Sequence, residues 1–423
     1  MRWIAVLLVL LPLQESSPVP DLLKKIDGRD PVETFRAIDA LADLGPDRRA
    51  EIEKGAAALP EFYREALLAE LKTPVLTPRV TLLGDKLIPK HHLREWARQT
   101  GVAFRNSEND GVPGEETELA FDSLHGLDAL ARIFAASGYF TRQEPRRGDY
   151  GIYHRPAMTG AFGHRSAAVI LYEGLMRRRV DFSGSAPWRL EMSFETILGP
   201  GARPVRWDRI RVFEAVAQDG TKLEPAVPPA PSMFAESVPP DRWDPKLRLD
   251  FVAPEKFDRI ARLKFSARGL VALKEKTLEF PVRAGRSETR DGIDLRLGLL
   301  RSKGRENELR LEIRSKDPSI QRLLPSVFHI ELIYKDVKGD SLLWDSHEIE
   351  GGASCVVYWD YDYRQFKKGP CTCGGCGCSC FTMTDEEIDA VVPRGYPDAI
   401  RLHLPDGVVE RTVFAEFRDI QIR

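Results

Sequence analysis

Apolar residues recur at helical spacing in the first part of the chain. Asp30 followed by Pro31 has the pattern of an N-cap and a first-turn proline, and Phe35 and Ile38 begin an apolar stripe behind them. The same spacing returns twice before the pattern changes. It predicts a helical region over residues 19–73.

Residues 78–157 alternate strand patterns with two helical patterns. Gly101 and Gly138 each follow a helical pattern and lead directly into an apolar strand, as a helix-ending glycine does. The order predicts a small βαββαβ domain. Its strands are expected over 79–83, 102–105, 118–121, 139–142 and 150–154, and its helices over 90–99 and 126–136.

From about Ser166 onward, apolar and polar residues alternate with period two between Gly, Pro and Asp turns. The alternation predicts two mainly antiparallel β-sandwich domains, over 165–283 and 288–423. The fold class is therefore expected to be multidomain α+β. The clearest strand patterns cover 169–172, 188–197, 209–213, 246–252, 260–265, 277–282, 309–314, 327–334, 355–361 and 412–420.

The charge balance argues against nucleic acid as a partner. The 62 Lys and Arg residues face 64 Asp and Glu residues, which gives a formal net charge of −2. Beyond the first 13 residues no apolar run approaches the roughly 20 residues that cross a bilayer. We therefore expect no transmembrane span in the mature chain.

The N-terminus has the layout of a secretory signal peptide over residues 1–17. One arginine precedes the apolar run 4–13, and small polar residues follow it. The segment predicts an exported protein, periplasmic or extracellular. The alternative is an uncleaved interfacial anchor or a buried helix.

A cysteine cluster is the most unusual chemical feature. If Gly374 and Gly375 form a hairpin turn, strand alternation places the cluster's sulfur atoms on one face. The export prediction favours disulfides, with Cys355 as an additional partner. A thiolate site for Zn or Cu is the alternative, and a loose redox-sensitive loop is a third. The cluster residues are Cys371, Cys373, Cys376, Cys378 and Cys380.

The junctions at 99–104 and 136–140, each running from helix through glycine to strand, resemble the short N-terminal (STN) domain of secretins and TonB-dependent transducers. The resemblance implies an envelope-side docking module without catalysis. The helices over 19–73 resemble HEAT hairpins. The whole order is similar to that of secreted bacterial proteins of unknown function, and this similarity implies no particular activity.

Common catalytic and cofactor motifs are missing from the sequence. His-Glu-x-x-His, Gly-x-Ser-x-Gly, the phosphate loop and the dinucleotide glycine pattern do not occur. We interpret His91 and His92 as a solvated helix start and His154 and His164 as exposed residues near a linker. The basic run 177–179 is expected to be a solvated strand edge. No catalytic or cofactor-binding residue is predicted.

Three functions are compatible with these patterns. The first is an exported, non-enzymatic envelope protein that binds a partner protein or a cell-wall polymer. The second is a periplasmic metal-handling or redox protein that uses the cysteine cluster. The third is a hydrolase whose residues meet only in space. The sequence does not indicate an oligomeric state.

Overall fold

A computed structural model of the chain shows a mainly antiparallel β architecture with a few helices, as the α+β prediction requires. The chain divides into two compact units, Met1–Pro74 and Val75–Arg423. The structure describes residues 17–87, 89–102, 104–106, 117–137, 139–143, 150–154, 160–181, 184–200, 202–226, 247–282, 287–303, 306–316, 329–333, 342–343, 346–350, 354–360 and 398–422.

The first unit is helical, as predicted. It contains α1 (Val19–Lys24), α2 (Pro31–Asp43), a 3₁₀ turn (Pro46–Arg48), α3 (Arg49–Ala56) and α4 (Glu61–Glu70).

A side-chain cap begins α2, and aromatic side chains pack α2 against α4. The Asp30 carboxylate accepts hydrogen bonds from the backbone N–H groups of Val32 and Glu33, at 2.8 and 3.4 Å. Phe35 on α2 meets Phe62 on α4 edge to face, with ring centroids 6.1 Å apart. The predicted cap and apolar stripe are thus confirmed, while the likeness to HEAT repeats stays a prediction.

The second unit begins with the predicted order of strands and helices. Its elements are β1 (Arg79–Leu87), α5 (Pro89–Thr100), β2 (Phe104–Asn106), β3 (Thr117–His125), α6 (Gly126–Ser137), β4 (Tyr139–Gln143) and β5 (Tyr150–His154). β1 pairs with β3, and β5 lies between β2 and β4. Gly101 has φ +75°, so the predicted glycine end of α5 is confirmed.

Side chains of α5 fasten this segment together. The buried Trp96 indole donates to the carbonyl of Gly126 at 2.5 Å, which ties α5 to the start of α6. The Gln99 amide accepts from the N–H of Thr81 at 3.1 Å and donates to its carbonyl at 2.9 Å. Gln99 therefore satisfies both backbone hydrogen-bonding groups of Thr81, as a neighbouring strand would.

The remaining strands form three five-stranded sheets. The first sheet contains β6 (Ala161–Gly163), β7 (Ala168–Asp181), β8 (Gly184–Ile197), β10 (Glu224–Pro225) and β11 (Leu247–Ala253). The long sheet contains β9 (Arg203–Ala217), β12 (Arg259–Pro281), β16 (His329–Ile333), β17 (Leu342–Leu343) and β20 (Ala399–Gln421). The third sheet contains β13 (Ser287–Arg290), β14 (Ile293–Lys303), β15 (Glu306–Ser315), β18 (Ser346–Glu350) and β19 (Ser354–Asp360).

The strand order is β10-β11-β8-β7-β6 in the first sheet and β17-β16-β20-β12-β9 in the long sheet. Four phenylalanines join the two sheets. The ring centroid of Phe194 on β8 lies 5.2 Å from that of Phe265 on β12 and 5.4 Å from that of Phe417 on β20. The ring centroids of Phe162 on β6 and Phe417 lie 6.1 Å apart. On its other face the first sheet packs on α5 and α6, where Ile170 and Ile197 share a buried cluster with Trp96.

The extent of β12 differs from the prediction. The separate strands predicted over 260–265 and 277–282 are one continuous strand that pairs with β20 along its whole length. The buried positions change face midway. Phe265 and Ala267 are buried in the first half, whereas Leu278 and Phe280 are buried in the second, and these pairs have opposite parity. The simple alternation that marks a strand is therefore lost in the middle.

The long sheet also joins distant parts of the chain. β9 and β12 come from the first predicted sandwich region, and β20 comes from the second. Such pairing between residues far apart in sequence cannot be derived from local alternation.

Candidate functional site

The face of the long sheet opposite the phenylalanine core carries rows of charged residues, exposed near β9 and buried at Glu416 of β20. Residues paired directly across neighbouring strands lie on the same face, so the register of β9, β12 and β20 defines these rows. In the rows from Arg262 to Leu270 of β12, these three strands place seven basic and four acidic side chains on this face, counting Lys264 and Asp208. We call the six arginines of this set the basic face: Arg206, Arg209, Arg211, Arg262, Arg268 and Arg418.

Two rows of the basic face oppose like charges. Arg209 of β9 pairs with Arg268 of β12, and Arg262 of β12 pairs with Arg418 of β20. Like charges directly opposite each other destabilise a sheet, by about 0.2–1 kcal/mol per pair. Acidic neighbours offset part of this cost, since Glu410 contacts Arg268 at 2.5 Å and Glu214 contacts Arg262 at 3.1 Å.

The row next to Arg262 alternates in sign. Lys264 lies between Glu214 and Glu416, with nitrogen–oxygen distances of 3.3 and 3.9 Å. The Glu416 side chain is fully buried and also accepts from Arg418 at 3.0 Å. Buried charges require such pairing because the interior solvates them poorly. This row is a structural ion-pair network.

The arginines near β9 are accessible. Arg209 and Arg211 are exposed, and the side chains of Arg206 and Arg268 keep 44% and 49% of their surface in solvent. Arg209 forms no ion pair with any residue in the part of the chain that the structure describes. The Arg211 guanidinium lies 4.4 Å above the ring centre of Phe213, a cation–π contact that orders it.

Hydrogen bonding to Glu410 raises the pKa of Arg268 further above its ordinary value, so Arg268 stays charged. Guanidinium groups offer a planar fork of N–H donors that matches phosphate and carboxylate oxygens. An accessible array of such groups on two neighbouring strands can therefore hold an anionic ligand.

A second polar cluster surrounds His403, further along the long sheet. The Nδ1 atom of His403 lies 2.5 Å from Glu275 and 3.4 Å from the hydroxyl of Thr277, and Arg203 contacts Glu275 at 3.0 Å. The cluster links β9, β12 and β20. Because carboxylate and hydroxyl approach the same ring nitrogen, it differs from a nucleophile triad, in which they contact opposite nitrogens.

The predicted cysteine site cannot be compared with the structure. Cys371, Cys373, Cys376, Cys378 and Cys380 lie outside the described residues, and the disulfide and Zn or Cu alternatives stay predictions. Cys355 is placed in β19, at the register position between Leu311 of β15 and Ile349 of β18.

The histidine interpretations need two corrections. His91 is exposed as expected, but its neighbour His92 is 2% exposed and faces inward. His164, expected near a solvated linker, is 1% exposed, and its Nδ1 accepts from the N–H of Ser166 at 3.4 Å. Both predictions failed because local sequence does not show which neighbouring elements will cover a residue. His154 lies in β5.

Sequence reasoning missed most of the polar residues just described. The alternation in β9 indicated a strand, but the cross-strand rows depend on its pairing with β12 and β20. The run Arg-Trp-Asp-Arg-Ile-Arg in 206–211 was the one available signal. Further buried polar residues were also not anticipated: Asp39 and Glu70 in the helical unit, and Glu195, Arg411 and Glu416 in the second unit.

Comparison of the chain with protein-family models, curated proteins and solved structures finds no match. Only the chain's own residues therefore indicate a function. Among the described helices, none has both the length and the apolar character that crossing a membrane requires.

Proposed function

We propose that this protein is an exported, non-catalytic binding protein of the cell envelope, and that it holds its partner through the basic face of the long sheet. The observation that carries the proposal is the accessible arginine array on β9 and β12, in which Arg209 has no acidic partner among the described residues. Export is supported by the signal-like residues 1–17.

The architecture supports a rigid binding surface. Phe194, Phe265 and Phe417 fix the long sheet to the first sheet, and that sheet is fixed in turn to α5 and α6. A surface built on paired strands with a packed core keeps its side chains in place and limits the entropy lost on binding.

Two finer features of the architecture belong to the same proposal. We propose that residues 78–157 form an STN-like docking domain, supported by the observed order of strands and helices. We also propose that the later strands belong to sandwich-like domains, supported by the face-to-face packing of the first and long sheets.

Sedimentation with purified, insoluble cell-wall material tests the binding surface. The full chain is expected to co-sediment, and the double variant Arg209→Glu, Arg211→Glu to lose most of that binding. The matched control is Arg94→Glu, Arg290→Glu, which makes the same change in net charge at two exposed arginines elsewhere. Failure of the full chain to sediment, or equal losses in both variants, would contradict the proposal. Fractionation of cells that express the tagged chain tests its export.

A further inference from the structure

We infer that the ligand of the basic face is a linear cell-wall polymer, neither nucleic acid nor peptide, that bears phosphate or carboxylate groups along its length. The inference rests on the proposed function, because it specifies the chemistry of the partner held there. It predicts contact between several successive anionic groups and Arg206, Arg209, Arg211 and Arg268.

The basic face has a local excess of positive charge. The whole chain has a formal net charge of −2, yet basic side chains outnumber acidic ones by seven to four in the rows from Arg262 to Leu270. A local excess of one sign in a chain of the other sign attracts counter-charged ligands. The opposed arginines Arg209 and Arg268 cost stability in the free protein, and an anionic group bound between them would relieve that repulsion.

The spacing of the arginines on β9 and β12 indicates the shape of the ligand. Neighbouring strands lie about 4.8 Å apart, and alternate residues of one strand about 6.8 Å apart. Arg209 and Arg268 are neighbours across two strands, whereas Arg206, Arg209 and Arg211 follow each other along β9. The charges thus form a short strip instead of converging on one point. A strip suits a chain of anionic groups better than a single small anion.

The register of β9 argues against an acidic peptide added as a further strand. β9 is the last of the described strands in its sheet, but Asp208 and Phe213 are each an extra residue in its pairing with β12. Such bulges twist an edge strand and interrupt its regular hydrogen-bond spacing. Recognition through side chains is therefore favoured over recognition through the backbone.

The type of basic residue on β9 indicates an oxyanion as the ligand group. Every basic residue of β9 itself is an arginine, although the exposed Lys222 lies beside β9 at Val216. Lys264 of β12 is only 12% exposed and lies between two glutamates. Arginine binds oxyanions with two parallel N–H donors, and its weaker hydration lowers the cost of contact. Edge protection alone requires only charge of either sign. It therefore does not explain the preference for arginine.

Fluorescence anisotropy on the full chain tests the inference with five labelled probes: polyphosphate, polygalacturonate, neutral dextran, single-stranded oligothymidylate and an acidic peptide. We expect both anionic polymers, but not dextran, to bind, with affinity that falls steeply as salt rises. Arg209→Glu, Arg211→Glu is expected to weaken binding about tenfold or more, and the control Arg94→Glu, Arg290→Glu by no more than about twofold. The tighter anionic polymer identifies the phosphate or carboxylate source.

Two further variants keep the test decisive. If circular dichroism shows that the Arg209→Glu, Arg211→Glu variant does not fold, the Arg209→Gln, Arg211→Gln variant is used in its place. Arg209→Lys, Arg211→Lys keeps the charge and is expected to retain the salt dependence with weaker affinity, because the fork is lost.

Several outcomes would overturn the inference. One is tighter binding to the oligothymidylate or to the acidic peptide than to either anionic polymer. Another is binding of the anionic polymers that is unchanged by the Arg209 and Arg211 substitutions. The last is no binding of either polymer. If neither polymer binds while cell-wall sedimentation still depends on Arg209 and Arg211, the polymer chemistry is wrong and the proposed function stands. If the polymers bind but the protein fails to sediment with cell-wall material, the envelope function is wrong.

Discussion

The first sheet and the long sheet share a phenylalanine core, but their other faces differ. The first sheet places Ile170 and Ile197 against α5 and α6. The long sheet carries arginine rows and an ion-pair network on its other face. Both sheets are antiparallel and adjacent in the same unit. The comparison shows that what a sheet contributes to function depends on the residues of its second face.

The shared core should dominate the stability of both sheets. Phe265→Ala is expected to lower the free energy of unfolding by about 3–5 kcal/mol, because a fully buried ring is removed and a cavity remains. Chemical denaturation measures the loss. Phe194→Ala should cost a similar amount, and the double variant should cost less than the sum, since the two rings are 5.2 Å apart. A loss below about 1 kcal/mol would contradict the packing.

The contact of the first sheet with α6 depends on a residue without a side chain. A Cβ atom at Gly163 would lie 2.6 Å from the Cβ of Ala131 and 2.9 Å from the Cα of Asp128. Gly163→Ala is therefore expected to cost about 1–3 kcal/mol, as overpacking does. Thermal unfolding measures the effect.

Gly174→Ala on β7 is the control, because its Cβ would meet only the end of the Ile422 side chain, at 3.3 Å. Equal melting temperatures for the Gly163 and Gly174 variants would show that β6 does not lie against α6.

The long sheet should be sensitive to loss of its buried charge. Glu416→Gln removes the charge that faces Lys264 and Arg418, and we expect a loss of about 1–3 kcal/mol in unfolding free energy. Glu410→Gln is the control. The Glu410 side chain is 54% exposed, and an exposed pair contributes at most about 1 kcal/mol. Similar losses in both variants would mean that Glu416 is solvated.

The smallest effect is expected at the exposed end of the first sheet's helix-packed face. Asp250 of β11 lies directly opposite Glu191 of β8, and desolvation together with that charge raises the pKa of Asp250. Asp250→Asn should therefore stabilise the protein by about 0.2–1 kcal/mol near neutral pH.

The pH dependence of this effect has a definite sign. With a raised folded-state pKa, the native protein binds the Asp250 proton more tightly than the unfolded chain does. The stability due to protonation is complete below the usual value of 3.8 and is lost as pH rises through the folded-state pKa. The advantage of the asparagine variant should therefore shrink on acidification. Denaturation at several pH values measures it, and an advantage that grows on acidification would contradict the assignment.

Local pattern predicted the elements well where one face of an element is buried throughout. The stripe with Phe35 and Ile38 marked α2, and Gly101 marked the end of α5. It failed in the middle of β12, where Leu270, Val271, Ala272 and Leu273 are consecutive apolar residues and the buried face changes. A strand that serves two environments has no single alternation to detect.

The candidate site was less predictable than the elements that carry it. Arg209 and Arg211 are visible in the sequence, but Arg268 lies 57 positions after Arg211 and joins them only through strand pairing. The burial of His164 and Glu416 likewise depends on what lies over them. The cysteine cluster, in contrast, was evident from the sequence alone, and its chemistry is still a prediction.

The sequence by itself determined the α+β class, the helical first unit, the order of strands and helices over 78–157 and the overall charge, because each follows from local periodicity, capping residues or composition. Only the tertiary structure decided that β9, β12 and β20 share a sheet and that their arginines form one surface. The physical reason is that hydrogen bonds and side-chain rows across a sheet depend on register between distant segments. Local propensity does not encode that register.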